Sequence, residues 1–140
     1  MKAKETFSGG AFEARINVPM TASGSQVANW PAWWMTGWPM PGEIDIWEGL
    51  GHAGSCWSVH PEPVSPGGCV VPTPGWHTYG ASWVNGVGVE IYYDGAKIAS
   101  TPFAVTSPDY PVLDNSTATW AVVATPADMQ VDYVRHWVRA

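Results

Sequence analysis

The chain has 140 residues, 46% hydrophobic and 13% charged, with a net charge of −6, which suits one domain with a packed core. Its six basic residues, Lys2, Lys4, Arg15, Lys97, Arg135 and Arg139, are scattered, so no basic stripe exists to follow a phosphate backbone and nucleic acid is not an expected partner. No apolar run approaches the roughly 18 residues of a membrane helix, and residues 1–6 are polar and charged, so no signal peptide is visible.

Fifteen glycines and thirteen prolines fall short of the level at which a chain reads as disordered. With neither repeats nor a low-complexity linker, residues 1–140 read as a single domain. Helical periodicity is absent, and strand patterns recur instead. Residues 12–18 alternate apolar with polar and stop at Pro19, and residues 43–48 alternate after Pro41-Gly42. A longer strand is predicted over 76–84, ending at Asn85-Gly86, a strong hairpin signal. Residues 89–93 follow, closed by a second signal, Asp94-Gly95, and then 97–99. The last predicted strands are 120–124 and 129–138. Many short strands at close spacing point to an all-β sandwich or jelly roll.

Cys56 and Cys69 lie thirteen positions apart around a loop rich in Pro and Gly. A disulfide between them would suit an exported protein and would stabilise by roughly 3 kcal/mol. Two separate buried thiols are the alternative; metal-ligand spacing is absent around them. Ten tryptophans exceed what a core of this size needs. Some fill the sandwich, and others can line a groove where their flat faces stack on the C–H faces of sugar rings.

Glu43-Ile44-Asp45-Ile46-Trp47-Glu48 places three carboxylates within six residues, interleaved with side chains of strong β preference. Strand alternation sends Glu43 and Asp45 to one side and Ile44 and Ile46 into the core. Glu48, five positions from Glu43, would fall on the wrong side of a regular strand. A β-bulge near Ile46 or Trp47 would return it to the side of the other two. Three carboxylates on one face repel one another and raise at least one pKa. Folding gains nothing from that. Retaining cleavage of a glycosidic bond needs it, with one carboxylate as nucleophile and one protonated carboxyl as acid. The bland alternative is a solvated acidic strand.

Gly42-Glu43-Ile44-Asp45-Ile46-Trp47-Glu48-Gly49 resembles the ExDxxE signature of glycoside hydrolase family 16, in its laminarinase-like group. Four other segments, in order, resemble the same family: Phe12-Glu13-Ala14-Arg15-Ile16, Trp30-Pro31-Ala32-Trp33-Trp34-Met35, Trp76-His77-Thr78-Tyr79 with Trp83, and Met129-Gln130-Val131-Asp132-Tyr133-Val134-Arg135. The resemblance implies a concanavalin A-like β-jelly roll of two curved antiparallel sheets with a concave substrate cleft. By the same resemblance Glu43 is the nucleophile, Asp45 its assisting carboxylate and Glu48 the acid/base. The bulged ExDxxE form favours a β-1,3-glucan, although agar- and carrageenan-active relatives share it.

Trp34 and Trp38 resemble the tryptophans flanking the family's cleavage point, and His60 resembles a histidine that contacts sugar there. Asn115 aligns with a late cleft strand, and Asn115-Ser116-Thr117 is also a glycosylation sequon. His77, Trp76, Trp83, Trp120 and Trp137 read as structural. Family members usually carry several strands before the segment at 12–16, where this chain has only about ten residues; a missing strand would leave a sheet edge unpaired unless a neighbour covers it. No cofactor is expected. A structural calcium is common in the family and Asp132 sits where one ligand often lies, but the metal is not predicted. The expected partner is a polysaccharide, met outside the cell or at its surface by a monomer. Two rival readings are a lectin-like domain without chemistry and a polysaccharide-degrading part of a larger surface or virion assembly.

Overall fold

The computed structural model describes residues 1–37, 42–51, 54–60, 65–102, 105–106 and 108–138. They form ten strands: β1 Gly9–Asn17, β2 Trp30–Gly37, β3 Glu43–Gly49, β4 Ser55–His60, β5 Gly67–Val70, β6 Trp76–Val84, β7 Gly88–Tyr93, β8 Ala96–Thr101, β9 Asp109–Ser116 and β10 Gln130–Trp137. One five-stranded sheet runs β10-β1-β6-β7-β8, the other β5-β4-β3-β2-β9, and every ladder between named strands is antiparallel. The expected all-β sandwich is therefore the fold, and no described helix is long and apolar enough to cross a membrane.

Alternation explains the layering. Phe12, Ala14 and Ile16 of β1 and Tyr79, Ala81 and Trp83 of β6 meet Trp33 and Met35 of β2 and Ile44, Ile46 and Trp47 of β3 in one buried core. Side chains at the intervening positions leave by the outer face of each sheet. Both predicted hairpins are present, with Gly86 (φ 69°), Asp94 (φ 47°) and Gly95 (φ 75°) in the left-handed region that such turns require.

The segment 120–124 is not a strand. Ala121 N–H turns back to the Ala118 carbonyl, the Val122 carbonyl accepts from Asn29 N–H, and Ala124 N–H donates to Asn29 Oδ1. These backbone groups are committed to a loop clamp and have no ladder to join. Four strands, β2, β4, β5 and β9, lie outside those predicted from periodicity. β5 contains two glycines in four residues and, among the described residues, pairs only with β4. β9 has Pro111 in its interior, which an edge strand tolerates. Residues 1–7 run along the outer side of β9, with Ala3 N–H donating to the Pro111 carbonyl and Phe7 exchanging both backbone bonds with Asp109. That segment covers the β9 edge of its sheet.

Of the tryptophans read as structural, only Trp83 is a core residue; Trp76, Trp120 and Trp137 are exposed. Trp76 lies under the Arg15 guanidinium and Trp120 meets Trp30 edge to face. Asp132 pairs with Arg15 at 2.8 Å on the surface.

Candidate active site

The β2–β3 ladder pairs Trp33 with Trp47 and then Trp34 with Asp45, so Ile46 is the extra residue on β3. The β3–β4 ladder slips at the same place, from Asp45 opposite Ser58 to Glu48 opposite Cys56. Ile46 and Trp47 are consecutive and both buried, the mark of a bulge in which two successive side chains turn inward. Glu48 consequently joins Glu43 and Asp45 on the outer face of the sheet. These three acids, with Trp30, Ala32, Trp34 and Asp114, line a cavity of about 240 Å³.

Each carboxylate has a distinct setting. Asp45 is only 6% exposed; its Oδ2 accepts from Ser58 Oγ at 2.6 Å and faces His60 Nε2 at 2.7 Å. A proton on Nε2 of His60 satisfies this arrangement and leaves Nδ1 to accept from Ser65 Oγ at 3.0 Å. Glu43 lies 3.8 Å from the same His60 nitrogen. Burial, then the charge of Asp45, push the Glu43 carboxyl above its ordinary value, and His60 pulls the other way. Burial likewise raises Glu48, opposed first by a hydrogen bond from Trp30 Nε1 to Glu48 Oε1 at 2.6 Å. A carboxyl raised in this way keeps its proton to higher pH than a free one, the direction an acid catalyst needs.

Glu43, Asp45 and His60 bring possible metal-ligand atoms within 4.8 Å of one another. The Asp45 and His60 atoms already engage each other at 2.7 Å.

Trp34 lines the cavity and donates its indole N–H to Asp114 Oδ1 at 3.0 Å. Trp38 lies outside the described residues. His60 sits at the rim of the acids, anchored to Asp45. Asn115 is not in the cavity: its amide reaches the Ala127 carbonyl, while Asp114 and Ser116, on the opposite side of β9, bond to each other. A one-residue offset on a strand reverses the face, and the residue that enters the cleft is Asp114. Ala32, between Asp114 and Glu48 in the ladders, is small enough to leave the space open. Ser58, Trp30 and Asp114 were missed by the sequence reading of the site; the WPA motif around Trp30 was its only trace. Cys56 and Cys69 are direct partners across β4 and β5 and form a disulfide.

A two-sheet antiparallel sandwich with a carboxylate trio and tryptophans in a cavity on one outer face belongs to the jelly-roll class of folds. Within it the chain is similar to glycoside hydrolase family 16, in fold and in the ExDxxE strand. The Thermotoga maritima laminarinase catalytic domain matches with a TM-score of 0.74 at 25% identity, over 96% of this chain and 65% of its own. A non-specific endo-β-1,3(4)-glucanase of family 16 matches with a TM-score of 0.79 at 26% identity, over 96% of this chain and 61% of its own. A structure described among endo-acting O-glycanases of the human gut microbiota that initiate mucin breakdown matches with a TM-score of 0.74 at 25% identity, over 94% of this chain and 58% of its own. The chain thus spans less than two thirds of each of these proteins. No family model and no curated protein matches the sequence.

Proposed function

We propose that the protein is a retaining, endo-acting glycoside hydrolase, with a β-1,3-linked glucan as its first substrate. The observation that carries this reading is the bulge at Ile46, which sets Glu48 beside Glu43 and Asp45 in a tryptophan-lined cavity. Glu43 attacks the anomeric carbon while the Glu48 carboxyl gives its proton to the departing glycosidic oxygen. The bond to the leaving sugar breaks and a glycosyl ester forms on Glu43. Water then attacks the anomeric carbon as Glu48, now a carboxylate, takes the water's proton; the bond from that carbon to Glu43 breaks and frees the Glu43 carboxylate. Asp45, fixed by Ser58 and His60, lies beside the nucleophile and orients it. Trp34 offers a ring face to the sugar, and His60 offers contact at the rim. A polymeric substrate of this kind is met outside the cell, in keeping with the disulfide.

The test is release of new reducing ends from laminarin, lichenan, agarose, carrageenan, xyloglucan and mucin glycans. Laminarin is the expected substrate. Glu43→Gln is expected to lower kcat by at least about 10³-fold with laminarin binding retained. Binding to glycans by the parent without cleavage of any of them would replace this reading with the lectin-like one. Preferential cleavage of mucin glycans would move the substrate toward that of the O-glycanase neighbour.

A further inference from the structure

We propose that Trp30 is a positioning residue that selects which oxygen of Glu48 carries the catalytic proton, and that Trp120 and Asn29 hold Trp30 in place for it. The inference rests on Glu48 being the acid/base of the reaction proposed above.

The indole N–H of Trp30 points at Glu48 Oε1 at 2.6 Å, a short bond even for a charge-assisted pair. An indole nitrogen donates and never accepts. Oε1 therefore accepts in both protonation states of Glu48, and because the carbonyl oxygen of a carboxyl group is a better acceptor than its hydroxyl oxygen, the bond biases the proton toward Oε2. The carboxyl group cannot turn over in the cleft without breaking that bond, so the acidic O–H keeps one direction through the cycle.

The donor is itself braced. Trp120 packs edge to face on Trp30, with ring centroids 5.1 Å apart. Asn29, buried and directly before Trp30, ties down the loop that follows Trp120 through Val122 and Ala124. Asn29 adopts φ 62°, a conformation uncommon outside glycine, asparagine and aspartate. That brace gives the otherwise exposed Trp120 a task beyond filling space.

The charged groups around Glu48 are Glu43 and Asp45 on its own strand, His60 on β4 and Asp114 on β9. Burial, Asp45 and Asp114 favour the protonated carboxyl, while His60 and the Trp30 bond favour the ionised one. Trp30→Phe keeps a ring and removes the donor. The alkaline limb of kcat/KM, where Glu48 loses its proton, should then move to higher pH, and kcat should fall roughly tenfold as the proton is no longer biased toward Oε2. KM should change little.

The closing experiment follows the indole ¹⁵N–¹H resonances of the parent and of Glu48→Gln from about pH 4 to pH 9, a range spanning ordinary and raised carboxyl values. The Trp30 resonance should shift in one step with Glu48 ionisation, and that step should vanish in Glu48→Gln. A Trp30 resonance indifferent to Glu48→Gln overturns the proposal. So does a Trp30→Phe enzyme that keeps the parental kcat and alkaline limb. Trp120→Ala should lower kcat in the same sense and speed solvent exchange of the Trp30 N–H, with Trp120→Phe restoring both; parental behaviour of Trp120→Ala removes the brace from the proposal. The spectra need neither substrate nor the Trp30→Phe protein. They decide the coupling even if that variant fails to fold, and a parent that cleaves no glycan refutes the hydrolase reading separately.

Discussion

Glu43 and Glu48 stand five positions apart on β3 and still line the same cavity, because Ile46 is unmatched in the ladder to β2. The extra residue costs the sheet a pairing position and turns two neighbouring apolar side chains, Ile46 and Trp47, into the core together. It also separates Glu48 from Asp45 by more backbone than a regular strand would allow. The bulge therefore sets the spacing of the proposed nucleophile and acid as well as their common face.

This makes a deletion informative. Removing Ile46 leaves Glu43, Asp45 and the remaining glutamate at alternate positions, so all three stay on the cleft side of an unbulged strand. The expected variant is less stable by roughly 2–5 kcal/mol, the usual cost of losing a buried aliphatic side chain, and retains detectable hydrolysis. Urea unfolding with a reducing-end assay checks both. A folded deletion variant as inactive as Glu43→Gln would mean that the bulge sets a distance the chemistry cannot do without.

The raised carboxyls have a consequence for stability. Glu43 and Glu48 hold protons more firmly in the folded chain than in the unfolded one. Their contribution is thus fully favourable below the ordinary glutamate value and is lost as pH rises through the raised one. Glu48→Gln, which cannot ionise, should accordingly have a higher Tm than the parent at neutral pH, and the difference should shrink toward about pH 4. Thermal scans across that range test it; a variant less stable than the parent at neutral pH contradicts it.

The disulfide supports a strand that has little else. β5 is four residues long, contains two glycines and has, among the described residues, a single neighbouring strand, β4. Closing a loop between residues thirteen apart should stabilise by roughly 3 kcal/mol through the entropy of the unfolded chain. The Cys56→Ser, Cys69→Ser double variant should show that loss in urea, and reductant should lower the parent to the same midpoint. Equal midpoints for oxidised parent and double variant would show that β5 pairs unaided.

Much of the site follows from properties local to the chain. Alternation over residues 43–48 was enough to call for a bulge and to assign the three acids to one face, because side-chain direction on a strand depends only on position along it. The hairpins at Asn85-Gly86 and Asp94-Gly95 are local in the same way, being choices of backbone conformation at two residues. The segment 120–124 misled because its Trp, Val and Ala composition suits a strand, whereas its backbone is claimed by Asn29 from elsewhere in the chain.

What the sequence by itself determined, then, is the all-β class, the carboxylate trio and the need for one extra residue between Asp45 and Glu48. What only the tertiary structure decided is the company those acids keep. Ser58 reaches Asp45, Trp30 reaches Glu48, and Asp114, where Asn115 had been expected, enters the cleft. Each of these depends on the register between strands, and a shift of one residue reverses every side chain on a strand. Register is set by the packing of the whole core, which no single segment contains.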